Sequence, residues 1–169
     1  RTVGVSNFGE KRMLRAYSTL AQHGIPLASN QVHYSLLSRE VEKNGTLARC
    51  KELGIRLIAY SPLEKGMLTG KYTLENPPPG VRASQYAELL KKLPPVTKLL
   101  QEIGQNHGGK TASQVALNWL ICKGALPIPG AKTPKQAESN AGGAGWQMTD
   151  EEVAKLDAAT DNIKDYSKG

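Results

Sequence analysis

Residues 125–140, ALPIPGAKTPKQAESN, contain the local pattern around which the rest of the chain is organised. The apolar run at 126–129 has the character of a short strand, and a helix signal follows it at once. Thr133 stands at the N-cap and Pro134 at the first helical position. Backbone N–H groups at a helix start carry partial positive charge, and Lys132 adds a full charge beside them. The stretch therefore predicts a strand, a phosphate-binding turn and a helix.

A simpler interpretation of these residues is also open. Thr133 and Gln136 have the spacing of a capping box, which would stabilise the helix start and leave Lys132 in solvent. Three earlier strand-like runs end in a similarly polar way. This recurrence favours the phosphate-binding interpretation.

The rest of the chain alternates strands with helices, which indicates an α/β fold with parallel strands. Capping boxes at Thr111 with Gln114 and at Thr149 with Glu152 begin two of the helices. Residues 64–94 carry the sequence NPPPG and are predicted to form an irregular, lid-like loop. Strands are predicted at 2–5, 28–33, 55–60 and 126–129, and helices at 10–23, 45–53 and 95–107, then from 112, 134 and 150.

Four strand–helix units with polar strand ends suggest part of a (β/α)8 barrel, whose full length is about 250 residues. The chain has 169 residues and cannot close one. It is a half-barrel that needs a complement, a fragment, or an open parallel sheet. Four strands alone leave two unpaired edges, so we expect self-association through those edges.

Composition favours a phosphorylated ligand over other partners. Lys and Arg number 22 against 15 Asp and Glu, a net charge of +7. Nucleic acid is the competing partner, but no basic motif with interleaved aromatic residues accompanies the charge. No run is long enough to span a bilayer, and Cys50 and Cys122 lack motif spacing. We expect a soluble protein of a reducing compartment, with neither nucleic acid nor membrane as partner.

Several other polar residues receive no functional role. His33 and His107 are isolated and are interpreted as packing or surface residues. No Cys/His cluster has metal-ligand spacing, so no metal site is predicted. Acidic residues at four-residue spacing on the last helix are interpreted as a solvated face: Asp157, Asp161 and Asp165.

Four ordered motifs together resemble the aldo-keto reductases. They are GVSNF at 4–8, NQVHYS at 30–35, AYSPL at 59–63 with GMLTGKY at 66–72, and PIPGAKTPKQAESN at 127–140. The resemblance covers nearly the whole chain and corresponds to strands five to eight of that barrel. It is nearest to a plant-type branch with several plastid members, which implies a chloroplast or cytoplasmic location.

The resemblance implies an NADP site whose nicotinamide end lies at the first three strand ends. Ser6, Asn7 and Gln31 would hydrogen-bond the nicotinamide carboxamide, because such side chains offer donors and acceptors. Tyr60 would stack its ring on the nicotinamide. The structural alternatives are a helix N-cap at Asn7, backbone hydrogen bonding at Gln31, and core packing at Tyr60.

The same resemblance implies pyrophosphate contacts after the third strand. Ser61, Leu63 and Gly66 would line the pyrophosphate, and Lys71 and Arg82 would reach it from the predicted loop. The alternative is that the glycine serves a turn and the two cations are solvated.

The 2′-phosphate and adenosine would lie at the last strand–helix turn. Gly130 would allow close backbone approach, Lys132 would meet the 2′-phosphate, and Gln136 and Asn140 the adenosine end. Many relatives carry Glu just before the final Asn of this motif, where this chain has Ser139, so we assign no adenine contact there.

The implied activity is NADPH-dependent reduction of an aldehyde or ketone to an alcohol, with a small carbonyl compound as substrate. In the family the catalytic Tyr, Lys and Asp, and usually a His, lie on the first four strands, and no tyrosine here stands in that motif. We therefore assign no catalytic residue and expect the chain alone, as a truncated or partial reductase, to be inactive. The alternatives are a non-catalytic nucleotide-binding subunit with a regulatory or redox-sensing role, and a phosphate-binding barrel fragment of another enzyme.

Overall fold

The structure is a computed structural model, and it describes residues 2–163. Four strands alternate with eight α-helices, and 3₁₀ turns follow the third strand. In chain order the elements are β1 (Val3–Ser6), α1 (Glu10–Ala21), β2 (Leu27–His33), α2 (Glu40–Lys43), α3 (Thr46–Glu52), β3 (Arg56–Tyr60), the 3₁₀ segment (Glu64–Thr69), α4 (Arg82–Gln85), α5 (Ala87–Asn106), α6 (Ala112–Cys122), β4 (Leu126–Pro127), α7 (Pro134–Ala141) and α8 (Asp150–Thr160).

The four strands form one parallel sheet in the order β1-β2-β3-β4. Side chains alternate between its two faces. Val32 and Leu57 point to the helices and are buried. Gln31 and Tyr60 point to the opposite face and are only partly buried. This arrangement confirms the predicted α/β fold with parallel strands.

The core lies between the sheet and the helices. Leu89 and Leu100 of α5 and Trp119 and Leu120 of α6 are fully or almost fully buried there. The predicted capping boxes are present at the starts of α6 and α8. None of the helices that the structure describes is both long and apolar enough to cross a membrane.

Helix α5 corrects the prediction of an irregular loop at 64–94. It begins at Ala87, so Pro94 and Pro95 lie inside it and not before it. Proline removes a helical hydrogen bond and is commonest at a helix start, which is why the sequence predicts a start at 95. Both prolines are exposed, while Leu93 and Val96 are buried. Core packing of the neighbouring residues outweighs the lost hydrogen bonds, and within 64–94 only residues 70–81 and Tyr86 lie outside a helix.

Two other elements differ from the sequence prediction. Helix α2 is not predicted at all, because four residues are too few to show a helical period. The fourth strand covers only Leu126–Pro127, and the chain leaves the sheet earlier than the apolar run at 126–129 indicates.

Helix α8 is held by a charged cluster that the sequence did not predict. Asp157 accepts hydrogen bonds from Trp119 Nε1 at 2.9 Å and Lys123 Nζ at 2.6 Å. Arg39 lies 2.8 Å from both Glu42 and Asp161. We call the set of Arg39, Glu42, Trp119, Lys123 and Asp157 the Trp119 cluster.

The solvated-face interpretation is therefore wrong for Asp157. Asp157 is 23% exposed and accepts hydrogen bonds from Lys123 and Trp119, which lie 34 and 38 residues earlier in the chain. Asp161 is 58% exposed, as that interpretation expects, and it also pairs with Arg39. Asp165 lies outside the described residues. Spacing along one helix does not show which other helix that face meets.

Candidate functional site

A cleft of about 730 Å³ lies between the turn that follows β3 and the loop that joins β4 to α7. Its volume is within the range of small-molecule sites. Nine residues that the sequence assigns to cofactor binding line it: Ser61, Leu63, Gly66, Lys71, Arg82, Gly130, Lys132, Gln136 and Asn140.

The charge of the cleft has one sign. Lys65, Lys71, Arg82 and Lys132 line it, and no Asp or Glu is among its described lining residues. None of these cations forms an ion pair with a described carboxylate. The N-terminus of α7 opens beside Lys132 and adds partial positive charge. The cleft is therefore suited to a ligand with several negative charges.

The β3 side of the cleft has a constrained backbone. Ser61, Glu64 and Lys65 have positive φ angles of 51°, 47° and 52°, which side chains other than glycine seldom adopt. Gly66 has φ 95°, and a Cβ there would lie 3.1 Å from the ring of Tyr72. Such angles persist only where surrounding contacts enforce them, and they cluster at functional sites.

The α7 side of the cleft is built from side-chain contacts to its own loop. Thr133 Oγ1 accepts from Gln136 N at 3.2 Å, as the capping-box interpretation requires. The reciprocal bond differs, because Gln136 Oε1 accepts from Lys132 N at 2.7 Å and not from the N-cap residue. Asn140 Nδ2 donates to Gly130 O at 3.3 Å. Gln136 and Asn140 thus fix the turn that presents Lys132.

The other four predicted residues, Ser6, Asn7, Gln31 and Tyr60, meet at the carboxyl ends of β1, β2 and β3 and are not among the described residues that line the cleft. Ser6 Oγ and Asn7 N donate to the carbonyl of Gln31 at 3.1 and 2.8 Å. Tyr60 Oη donates to Asn7 Oδ1 at 3.2 Å. The side-chain amide of Gln31 has no hydrogen-bond partner within residues 2–163. It remains able to bind another amide.

The structural alternatives for three of these residues do not hold. The N-cap of α1 is Gly9, whereas Asn7 has φ 56° and accepts from Tyr60. The amide of Gln31 satisfies no backbone group in the described chain. Tyr60 is partly exposed and lies outside the buried core.

A buried carboxylate, Glu64, is joined to Tyr60 through His33, and this connection was missed from the sequence. His33 stacks on Tyr60, with ring centroids 5.2 Å apart and planes 8° from parallel. His33 Nε2 is hydrogen-bonded to Glu64 Oε2 at 2.9 Å, and Ser35 Oγ donates to the same oxygen at 3.1 Å. The role of His33 is not visible in the sequence, because the contact depends on the register that places His33 opposite Tyr60.

Eight further residues of the cleft were not assigned from the sequence: Pro62, Lys65, Thr69, Tyr72, Ser113, Pro129, Ala131 and Ser139. Lys65 lies between two assigned residues, and its charge was a signal that could have found it. Ser113 lies on α6, and only the packing of that helix brings it to the cleft.

Cysteine and metal chemistry find no support in the described chain. Cys50 is buried, and burial raises the pKa of its thiol to about 11, so it stays protonated and unreactive at neutral pH. Between residues 2 and 163 no group of three His, Cys, Asp or Glu side chains could hold a metal ion.

A comparison with known protein families shows which family has this sequence and fold. Residues 1–161 match the Aldo/keto reductase family. The chain belongs to the aldo/keto reductase family, as its four ordered motifs indicated.

Relatives with described activities match over most of this chain. The pyridoxal reductase of Arabidopsis thaliana chloroplasts is 46% identical over 159 residues, which are 94% of this chain and 43% of that protein. A Schizosaccharomyces pombe aldo-keto reductase whose name specifies NADP(+) is 33% identical, over 97% of this chain and 49% of that protein.

Solved structures show the same fold. The glycerol dehydrogenase of Gluconobacter oxydans superposes with a TM-score of 0.81 and 25% identity. The match covers 96% of this chain and 50% of that structure. The chain thus spans about half the length of the relatives it matches, and its sheet corresponds to half of their (β/α)8 barrel.

Proposed function

We propose that the cleft and the adjoining strand ends bind NADPH, and that the chain is the cofactor-binding half of a reductase that converts an aldehyde or ketone to an alcohol. One observation carries the proposal: among the described residues, the cleft between family motifs is lined by four cations and by no carboxylate. The relative named for NADP(+) supports the choice of cofactor.

The residues present fit the charged part of NADPH. Its 2′-phosphate would lie at Lys132, where the side chain and the α7 N-terminus both supply positive charge. Its pyrophosphate would lie along Ser61, Leu63 and Gly66, and Lys71 and Arg82 would face it, while Gln136 and Asn140 would border the adenosine. Gly130 fits close approach of the ligand, because a Cβ there would meet no protein atom within 4 Å.

The strand ends fit the nicotinamide. When bound, NADPH supplies a hydride to the carbonyl carbon of the substrate. The amide of Gln31, which has no partner among the described residues, would orient the nicotinamide carboxamide together with Ser6 and Asn7. The ring of Tyr60 would cover one nicotinamide face, so that hydride leaves from the other.

Carbonyl reduction also needs a proton donor, and we assign none among the described residues. We therefore propose that this chain alone binds the cofactor without reducing a substrate. Within the described part, β1 and β4 each pair on one side only, which favours association with a second chain or barrel half. The chloroplastic relative supports a plastid location, with the cytoplasm as the alternative.

The test is a titration of the purified chain with NADPH and NADH, followed by the fluorescence of the reduced nicotinamide. We expect tighter binding of NADPH, because Lys132 meets a phosphate that NADH lacks. Lys132→Ala should weaken NADPH binding about tenfold to a hundredfold, as loss of a charge-assisted contact does. The control is Lys135→Ala, which removes an exposed lysine of α7 that does not line the cleft.

Equal loss in both variants would contradict the assignment of the 2′-phosphate to Lys132. Absence of NADPH binding by a folded chain would contradict the proposed function. Titrations at several chain concentrations separate self-association from cofactor binding. Carbonyl-dependent oxidation of NADPH by this chain would show that it contains a proton donor and would overturn the inactive assignment.

A further inference from the structure

A histidine and a buried glutamate connect the strand ends to the wall of the cleft. The Glu64 side chain is only 2% exposed, and His33 and Ser35 both share its Oε2. Its Oε1 is buried and has no hydrogen-bond partner among the described residues. Glu64 lies between Leu63 and Lys65, which both line the cleft.

We propose that His33 and Glu64 are positioning residues that hold the ring of Tyr60 in place for the nicotinamide. The proposal rests on the proposed NADPH site and specifies how its reactive end is fixed. Neither residue contacts the cofactor in this account, because both act through Tyr60.

The contacts of Tyr60 account for such a role. Its hydroxyl is fixed by Asn7 Oδ1 at 3.2 Å, and its ring lies nearly parallel to the imidazole of His33. The imidazole covers one ring face, so a flat ligand would use the other. The imidazole is in turn fixed by its hydrogen bond to Glu64. Removal of either member of the pair would let the Tyr60 ring rotate.

Glu64 destabilises the fold at this position, and this favours a functional explanation for its presence. A buried carboxylate oxygen without a partner is destabilising, and so is a φ angle of 47° outside glycine. The same carboxylate joins the end of β2 to the turn that carries the cleft lining. The proposed positioning role therefore links nicotinamide orientation to the shape of the pyrophosphate site.

A second histidine–glutamate–aromatic set elsewhere in the chain provides a matched control. His107 Nε2 is hydrogen-bonded to Glu152 Oε2 at 2.8 Å, and its ring lies 4.7 Å from that of Trp146. None of these residues lines the cleft. This set has the same chemistry without the proximity to the proposed nicotinamide site.

The experiment compares two ligands on the same variants. NADPH reports the whole site, whereas 2′,5′-ADP carries the 2′-phosphate and adenosine but no nicotinamide. We expect His33→Ala to weaken NADPH about tenfold, as loss of an aromatic contact does, and to leave the affinity for 2′,5′-ADP within about twofold. His33→Phe restores a stacking ring without the hydrogen bond and should recover part of the loss. Glu64→Gln should weaken NADPH selectively, and His107→Ala should change neither affinity.

The outcomes separate the two proposals. Equal weakening of both ligands in His33→Ala would show a general structural role and overturn the positioning role. If the wild-type chain binds 2′,5′-ADP as tightly as NADPH, the nicotinamide does not lie on Tyr60 and the inference fails while the phosphate cleft stands. If it binds neither, the proposed function fails and the inference with it. Should His33→Ala not fold, as circular dichroism would show, the ratio of the two affinities in His33→Phe and Glu64→Gln decides.

Discussion

The Trp119 cluster places each charged side chain next to one of opposite sign, whereas four cations and no carboxylate are found among the described residues that line the cleft. In the cluster, Lys123 lies 2.6 Å from Asp157 and 3.5 Å from Glu42, and Arg39 reaches both carboxylates. In the cleft, Lys132 and Arg82 form no ion pair with any described residue. Both regions are charged, but only in the cluster do the described residues include opposite charges that balance the cations.

The difference separates charges that serve folding from charges that serve a ligand. The cluster joins α2, α6 and α8 around a fully buried indole, and its partners are far apart in sequence. Burial raises the pKa of the Tyr34 hydroxyl, which stays protonated and donates to Glu42 at 2.5 Å. Within residues 2–163, no carboxylate pairs with the four cations of the cleft. A bound polyanion would supply the charges that the cluster finds within the protein.

The largest expected effect on stability is the removal of the central cation of the cluster. Arg39 is 12% exposed and contacts Glu42, Asp157 and Asp161. Arg39→Ala leaves Lys123 as the remaining cation beside the partly buried Glu42 and Asp157, and it should lower the free energy of unfolding by about 3 kcal/mol. Urea unfolding followed by circular dichroism measures the change.

Arg49→Ala is the matched control for this prediction. Arg49 also contacts two carboxylates, Glu10 and Glu52, but it is 32% exposed. Exposed ion pairs contribute little, so the loss should be much smaller than that of Arg39→Ala. Similar losses in the two variants would show that burial does not distinguish the Trp119 cluster from an ordinary surface pair.

A smaller effect should appear as a pH dependence of the cluster. Burial works to raise the pKa of Glu42, but hydrogen bonds from Arg39 and Tyr34 and the charges of Arg39 and Lys123 outweigh it and hold that pKa below its usual range. A lowered pKa contributes stability that is fully present above the unfolded-state value, about 4.3 for glutamate, and is lost as the pH falls through the folded-state value.

Glu42→Gln isolates this contribution. At neutral pH the variant should be less stable than the wild type by about 1 to 2 kcal/mol, and the difference should shrink as the pH falls below about 4. Unfolding curves of both proteins across that range provide the comparison, in which the other carboxylates cancel. A difference that stays constant with pH would show that the charge of Glu42 does not matter.

The predictable parts of the fold are those encoded by neighbouring residues. Thr111 with Gln114 and Thr149 with Glu152 form their capping boxes because each pair is complete within four residues. Pro94 and Pro95, by contrast, led to a wrong prediction. Their local preference indicated a helix start, but the buried face of α5 extends the helix through them. Packing from distant segments decided this element, and a local pattern does not contain that information.

The candidate site divides in the same way. The motifs located eight of the nine assigned residues that line the cleft, because each motif is contiguous and parallel strands end at one edge. Arg82 was assigned from the predicted loop. The support of Tyr60 by His33 and Glu64 was not predicted, since it depends on strand register and on the unusual backbone at residues 64–66. The positive φ angles could not be inferred from Glu64 and Lys65, whose side chains ordinarily avoid them.

The smallest effect on stability should come from removing cations of the cleft. This tests whether those cations, unlike the ones of the Trp119 cluster, leave folding unaffected. Arg82→Ala and Lys132→Ala each remove a cation that has no ionic partner in residues 2–163, so no buried carboxylate is left behind. Each should change the free energy of unfolding by less than about 0.5 kcal/mol. Because the chain carries a net charge of +7, any change at low salt should favour the variant through reduced repulsion. Urea unfolding at low and high salt, without nucleotide, measures this. A loss above about 1 kcal/mol in either variant would mean that the cation serves folding, and the distinction between cluster and cleft would fail.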